Sequence, residues 1–91
     1  MVTDPNLLIN QFAVQFLHSI GNNNPSDKTI AFVAAWATQE GGGTTNTCSY
    51  NFLNTMQTAP GSSSCTNIGI QSYPNMQTGV QANAAALKNG S

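Results

Sequence analysis

Three side chains in this sequence carry a carboxylate, Asp4, Asp27 and Glu40, and one of them stands where it could do chemistry. Asp4 and Asp27 sit at the starts of apolar-periodic stretches, where a carboxylate caps a helix or complements the positive end of its dipole. Glu40 follows Ile30, Val33 and Ala37 at helical spacing, which puts it on an apolar face, and it falls in a last turn, near the negative end of the dipole. Both features disfavour the ionised form, so the spacing predicts a partly buried carboxyl that keeps its proton above the usual value of about 4.3. Such a group can protonate a leaving oxygen, as glycosidases require. The plain alternative is an ordinary glutamate that closes a helix.

Other chemistries find less support. His18 is the single histidine and lies in a last turn, where a cation suits the helix dipole, and nothing nearby in the chain brings it to Cys48 as a nucleophilic pair. One histidine, two cysteines and three acids without ligand spacing make no metal cage, and no cofactor is expected. The triplet Gly41-Gly42-Gly43 follows a helix, whereas phosphate cradles place their glycines before one. Cys48 and Cys65 bracket a loop with Pro60, Gly61 and three serines; a bridge across it would stabilise by about 3 kcal/mol, and the alternative is two free thiols. A bridge points to an oxidising, extracellular working place.

The elements that must position these groups are punctuated clearly. Asp4-Pro5 reads as a cap and first-turn proline, followed by Leu8, Ile9, Phe12, Phe16, Leu17 and Ile20 on one face, with Gly21 as the stop. Residues 24–43 read as a second helix, with Asn24 as N-cap, Pro25 at the first position and the glycine triplet as terminator. Residues 50–56 read as a brief strand, residues 59–66 as a turn-rich loop, and Ile68 to Tyr73 alternate like a second strand. Asn75 then caps a third helix through Met76, Val80, Ala84 and Leu87, where Gly79 and the alanines allow a neighbour to approach closely.

Composition narrows the partners. The 91 residues make one small domain with 40% hydrophobic residues. Only 5% of residues are charged, against roughly 25% in ordinary domains, so amides and hydroxyls supply the polarity. A net charge of -1 offers no footprint for nucleic acid and no patch for anionic lipid. No stretch approaches the ~18 apolar residues of a membrane span, and no export signal is expected ahead of Pro5.

Four phrases carry a resemblance: Trp36-Ala37-Thr38-Gln39-Glu40-Gly41-Gly42, Tyr50-Asn51-Phe52-Leu53-Asn54-Thr55, Gly69-Ile70-Gln71-Ser72-Tyr73, and Gly79-Val80-Gln81-Ala82 with Leu87. In order and spacing they resemble the small lysozyme-like domains of phage endolysins and tail-associated muralytic proteins, over residues 16–87. The resemblance implies an α+β, mainly helical fold, lysozyme-like, with about three helices and a small two-stranded β lobe. It implies Glu40 as general acid for the β-1,4 glycosidic bond of peptidoglycan, with Asn51, Asn54, Thr55, Gln71 and Tyr73 as sugar-binding or orienting residues on the cleft. Asn51 and Asn54 read equally as turn formers, and Tyr73 and Trp36 as core aromatics. Phe52 departs from the proline of the pattern. The chain stops at Ser91, where such domains usually continue with an aromatic residue and another helical segment, so a shortened domain is expected. The implied setting is extracellular or virion-associated, as a monomer or part of a larger virion or secreted protein. A non-catalytic structural or carbohydrate-binding module of the same shape is the other reading.

Overall fold

Helix α1 (Leu8–Ser19) is the support on which the rest is built: it packs against both α2 (Asp27–Gln39) and α3 (Met76–Lys88), which make little direct contact with each other. Between α2 and α3 the chain forms a long loop and one antiparallel pair of two-residue strands, β1 (Ser63–Ser64) and β2 (Gln71–Ser72). The structure, a computed structural model, describes residues 4, 6–41 and 48–89. It is mainly helical α+β, with three helices and a two-stranded sheet, as expected.

The helix starts follow local hydrogen-bond chemistry. Asp4 closes a turn ahead of α1, its Oδ1 accepting from Asn6 N at 2.9 Å and its carbonyl from Asn10 Nδ2 at 2.9 Å, and the helix begins only at Leu8. The helix therefore starts about one turn later than the expected cap at Asp4, because a short carboxylate satisfied by its own backbone favours a turn over a cap. In α2 the cap is Ser26 rather than Asn24: its Oγ accepts from Thr29 N at 3.2 Å, and Asp27 becomes the first helical residue. With the first helical turn beginning at Asp27, Asn24 lies two residues too early to cap it. Helix α3 starts as expected, with Asn75 Oδ1 accepting from Thr78 N at 2.9 Å.

The apolar faces meet in a core of Phe12 and Phe16 from α1, Ile30, Val33 and Ala37 from α2, Val80 and Ala84 from α3, and Phe52 from the loop. Phe12 stacks on Phe16 and on Phe52 with ring centroids 5.5 and 4.9 Å apart, and Trp36 meets Phe16 edge-on at 6.0 Å. Aromatic pairs of this kind contribute about 0.5–1.5 kcal/mol beyond the area they bury. Phe52, the departure from the proline of the pattern, thus anchors its loop in the core. Leu8 and Ile20, placed by periodicity on the inner face of α1, are exposed at its two ends.

The β lobe differs from expectation in its first strand. Residues 50–56 form turns rather than a strand, with Tyr50 (φ 54) and Asn54 (φ 60) in the left-handed region that no strand accommodates. The cause is Asn51: its Oδ1 accepts from Thr55 N at 2.9 Å and its Nδ2 donates to Thr55 O at 2.8 Å, curling the segment on itself. The partner of β2 is instead Ser63–Ser64, in register Ser63↔Ser72 and Ser64↔Gln71. Cys48 and Cys65 are joined, Cα atoms 5.7 Å apart, and tie the head of the loop to the residue after β1.

Candidate active-site cleft

Because α2 and α3 both lean on α1 and scarcely on each other, their C-terminal halves leave a cleft of about 430 Å³ between them. Trp36 and Glu40 of α2 form one side, Asn83, Ala86 and Leu87 of α3 the other, and residues 53–57 of the loop complete the wall. Glu40 is its one carboxylate among the described residues.

Glu40 itself corrects the expectation. It is exposed, not half-buried, although Ala37 one turn earlier is fully buried. The apolar face ends with Ala37: Glu40 is the C-cap (φ -79, ψ 0), its N–H donating to Trp36 O at 3.1 Å, and Gly41 (φ 87) turns the chain away after it. Gly42 and Gly43 lie outside the described residues.

The expected sugar-contacting residues divide into two tiers. Asn54 and Thr55 line the cleft with Glu40, both half-buried. Asn51, Gln71 and Tyr73 stand behind the wall, 1%, 6% and 2% exposed, and hold it in place. Asn51 Nδ2 also donates to Gln71 O at 2.7 Å, and Gln71 N donates to Thr55 O at 3.2 Å. Gln71 Nε2 turns back to Gly69 O at 3.0 Å. The Tyr73 hydroxyl donates to the carbonyl of Gln57, a cleft residue, and burial pushes its phenol up to about 12. These three side chains thus position the wall rather than face the cleft.

Trp36 is both a partner of Phe16 and a wall of the cleft, so its two readings coexist. Sequence reasoning missed Gln57 and Asn83. The signal for Asn83 was available: an amide four residues after Gly79, flanked by Ala82 and Ala84. Its Nδ2 donates to Gly79 O at 2.7 Å, while its Oδ1 has no partner among the described residues.

His18 is exposed in a separate shallow cleft with Gln15, Ser19 and Gln77, and Cys48 is bridged, so no Cys-His pair forms. Among the described residues no three histidine, cysteine or acidic side chains gather as a metal site, and no helix is long and apolar enough to cross a membrane. No protein-family model matches the chain, and no curated protein or solved structure matches it either. The cleft is therefore read from its own geometry and from the four phrases that carry the resemblance.

Proposed function

We propose that the chain is a lysozyme-like domain that binds the aminosugar polymer of peptidoglycan in this cleft and cleaves its β-1,4 glycosidic bond, with Glu40 as general acid. The observation that carries the reading is the company Glu40 keeps: a single carboxylate opposite an amide-bearing helix, with Trp36 beside it and the hydroxyl and amide groups of residues 54–57 along the wall. Indole against polar groups suits a sugar, which has apolar ring faces and hydroxyl edges.

The two-carboxylate schemes of most glycosidases need a second acid, and none lines the cleft among the described residues. Asp4 closes a turn ahead of α1, and Asp27 is the first residue of α2. Attack on the anomeric carbon would then come from the substrate's own acetamido oxygen as the leaving oxygen takes the Glu40 proton, giving a cyclic oxazolinium that the sugar's own hydroxyl opens in a lytic transglycosylase and water opens in a substrate-assisted hydrolase, or attack would come from water held by Asn54 or Thr55. The disulfide supports an oxidising, extracellular or virion-associated setting.

The exposure of Glu40 favours a second reading, a glycan-binding module without cleavage. Incubating the protein with purified cell-wall sacculi separates the two. Loss of turbidity that Glu40→Gln reduces by ~10²-fold or more supports the enzyme, in line with what general acids contribute. Co-sedimentation with sacculi, without release of soluble glycan and unaffected by Glu40→Gln, supports the binder.

A further inference from the structure

We infer that Asn83 is the specificity-determining acceptor of the cleft, its Oδ1 taking the amide N–H of a ligand's acetamido group. The inference rests on the reading of the cleft as a glycan site and deepens it.

Stability does not ask for this side chain. Asparagine is a poorer helix former than the alanines around it, and α3 is otherwise small and apolar at its inward positions there. The bond from Nδ2 to Gly79 O at 2.7 Å is not needed by Gly79, whose carbonyl already accepts the backbone N–H of Asn83 as any α-helical carbonyl does. Its effect is to fix the amide. One Nδ2 hydrogen is held by that bond, and in a residue 2% exposed Oδ1 finds no donor among the described residues. A buried acceptor left unmatched lowers stability, so an apolar side chain of similar size would serve the fold better. A polar group that the fold does not require, in the lining of a cleft, is a group for a ligand.

The chemistry of that ligand follows from the same orientation. An unpaired acceptor held in a fixed orientation selects a donor over an ether, carbonyl or carboxylate oxygen. Ala86, Leu87 and Leu53 line the same cleft and offer apolar surface. That pairing suits an acetamido group, whose N–H is a donor and whose methyl is apolar, better than the hydroxyl of an unsubstituted sugar. Met56 and Leu87 line the same cleft and are both exposed, so their side chains can move as a ligand enters.

The test is calorimetric titration of the full chain with triacetylchitotriose and with cellotriose, which carries hydroxyls where the first has acetamido groups, alongside thermal melts. Triacetylchitotriose is expected to bind at least tenfold more tightly than cellotriose, and Asn83→Leu is expected to weaken it by roughly tenfold while leaving cellotriose unchanged. The melting temperature of Asn83→Leu is expected to equal or exceed that of the parent. Unchanged affinity in Asn83→Leu, or equal binding of the two sugars by the parent, overturns the role of Asn83 and leaves the cleft as a glycan site. No binding of either sugar by the parent overturns the glycan reading and this inference with it. A Leu variant that fails to fold contradicts the stability argument directly, and Asn83→Ala then carries the affinity measurement.

Discussion

Replacing a glycine inside a helix by alanine ordinarily stabilises a protein, by about 1 kcal/mol, because the backbone loses freedom in the unfolded chain. At Gly79 the opposite is expected. A Cβ built there would overlap the carbonyl oxygen of Tyr50 and approach Tyr50 Cβ and carbonyl carbon to 3.0 and 3.1 Å. A flexible side chain could swing aside, but a carbonyl oxygen moves only with its backbone. Here that backbone is constrained from both sides, by the bridge at Cys48 and by the amide of Asn51 locked onto Thr55. Overpacking a tight contact costs about 1–3 kcal/mol, and an overlap with constrained backbone belongs at the upper end. Subtracting the helix-propensity gain leaves a loss of about 2 kcal/mol for Gly79→Ala, or roughly 8–16 °C in melting temperature for a domain of this size. Urea unfolding followed by the fluorescence of Trp36, the single tryptophan, measures it, with Gln77→Ala on the exposed face of α3 as the control for helix propensity. A Gly79→Ala variant as stable as its parent, or more so, would refute the close approach of loop and helix.

Two further outcomes are expected. Tyr73 holds its proton up to about 12 in the folded protein against an ordinary value of ~10, so the stability it contributes is complete below pH ~10 and is lost as pH rises through about 12. Alkaline absorbance titration in a Tyr50→Phe background reads this phenol alone, and a midpoint near ~10 would refute its burial. Reducing Cys48–Cys65, which lie 17 residues apart in sequence, is expected to cost about 3 kcal/mol and to lower the melting temperature by roughly 12–24 °C. An unchanged melt after reduction and alkylation would show that the bridge does not constrain the chain.

What could be read in advance was whatever depends on neighbours in sequence. Asn75 caps α3 as its residue type and position require, and Gly79 is the glycine that lets another segment come close. The bridge between Cys48 and Cys65 likewise followed from their spacing across a turn-rich loop. What escaped depends on contacts between distant segments. Residues 50–56 carry the bulky apolar pattern of a strand, yet one buried amide, Asn51, bonds its own loop and β2 at once and makes turns of them. Glu40 keeps helical spacing with Ala37, but the core stops one turn before it, and periodicity says nothing about where a core stops. Asn83 is an amide among inward-facing alanines, but only the fold shows that its face of α3 lines a cleft.

The arrangement of α2 and α3 on a common support has a mechanical side. Two walls that share a foundation but are not joined to each other form an open span. The loop of residues 48–57 belongs to the α3 wall, abutting that helix where Tyr50 meets Gly79 and tethered by the bridge and by β2. The α2 wall carries Glu40 at its free end. A guest reaching from Glu40 to Asn83 would be the tie across that span, so its grip would be felt as cohesion between helices that otherwise scarcely meet, and occupancy of the cleft and tightness of the whole fold would rise together.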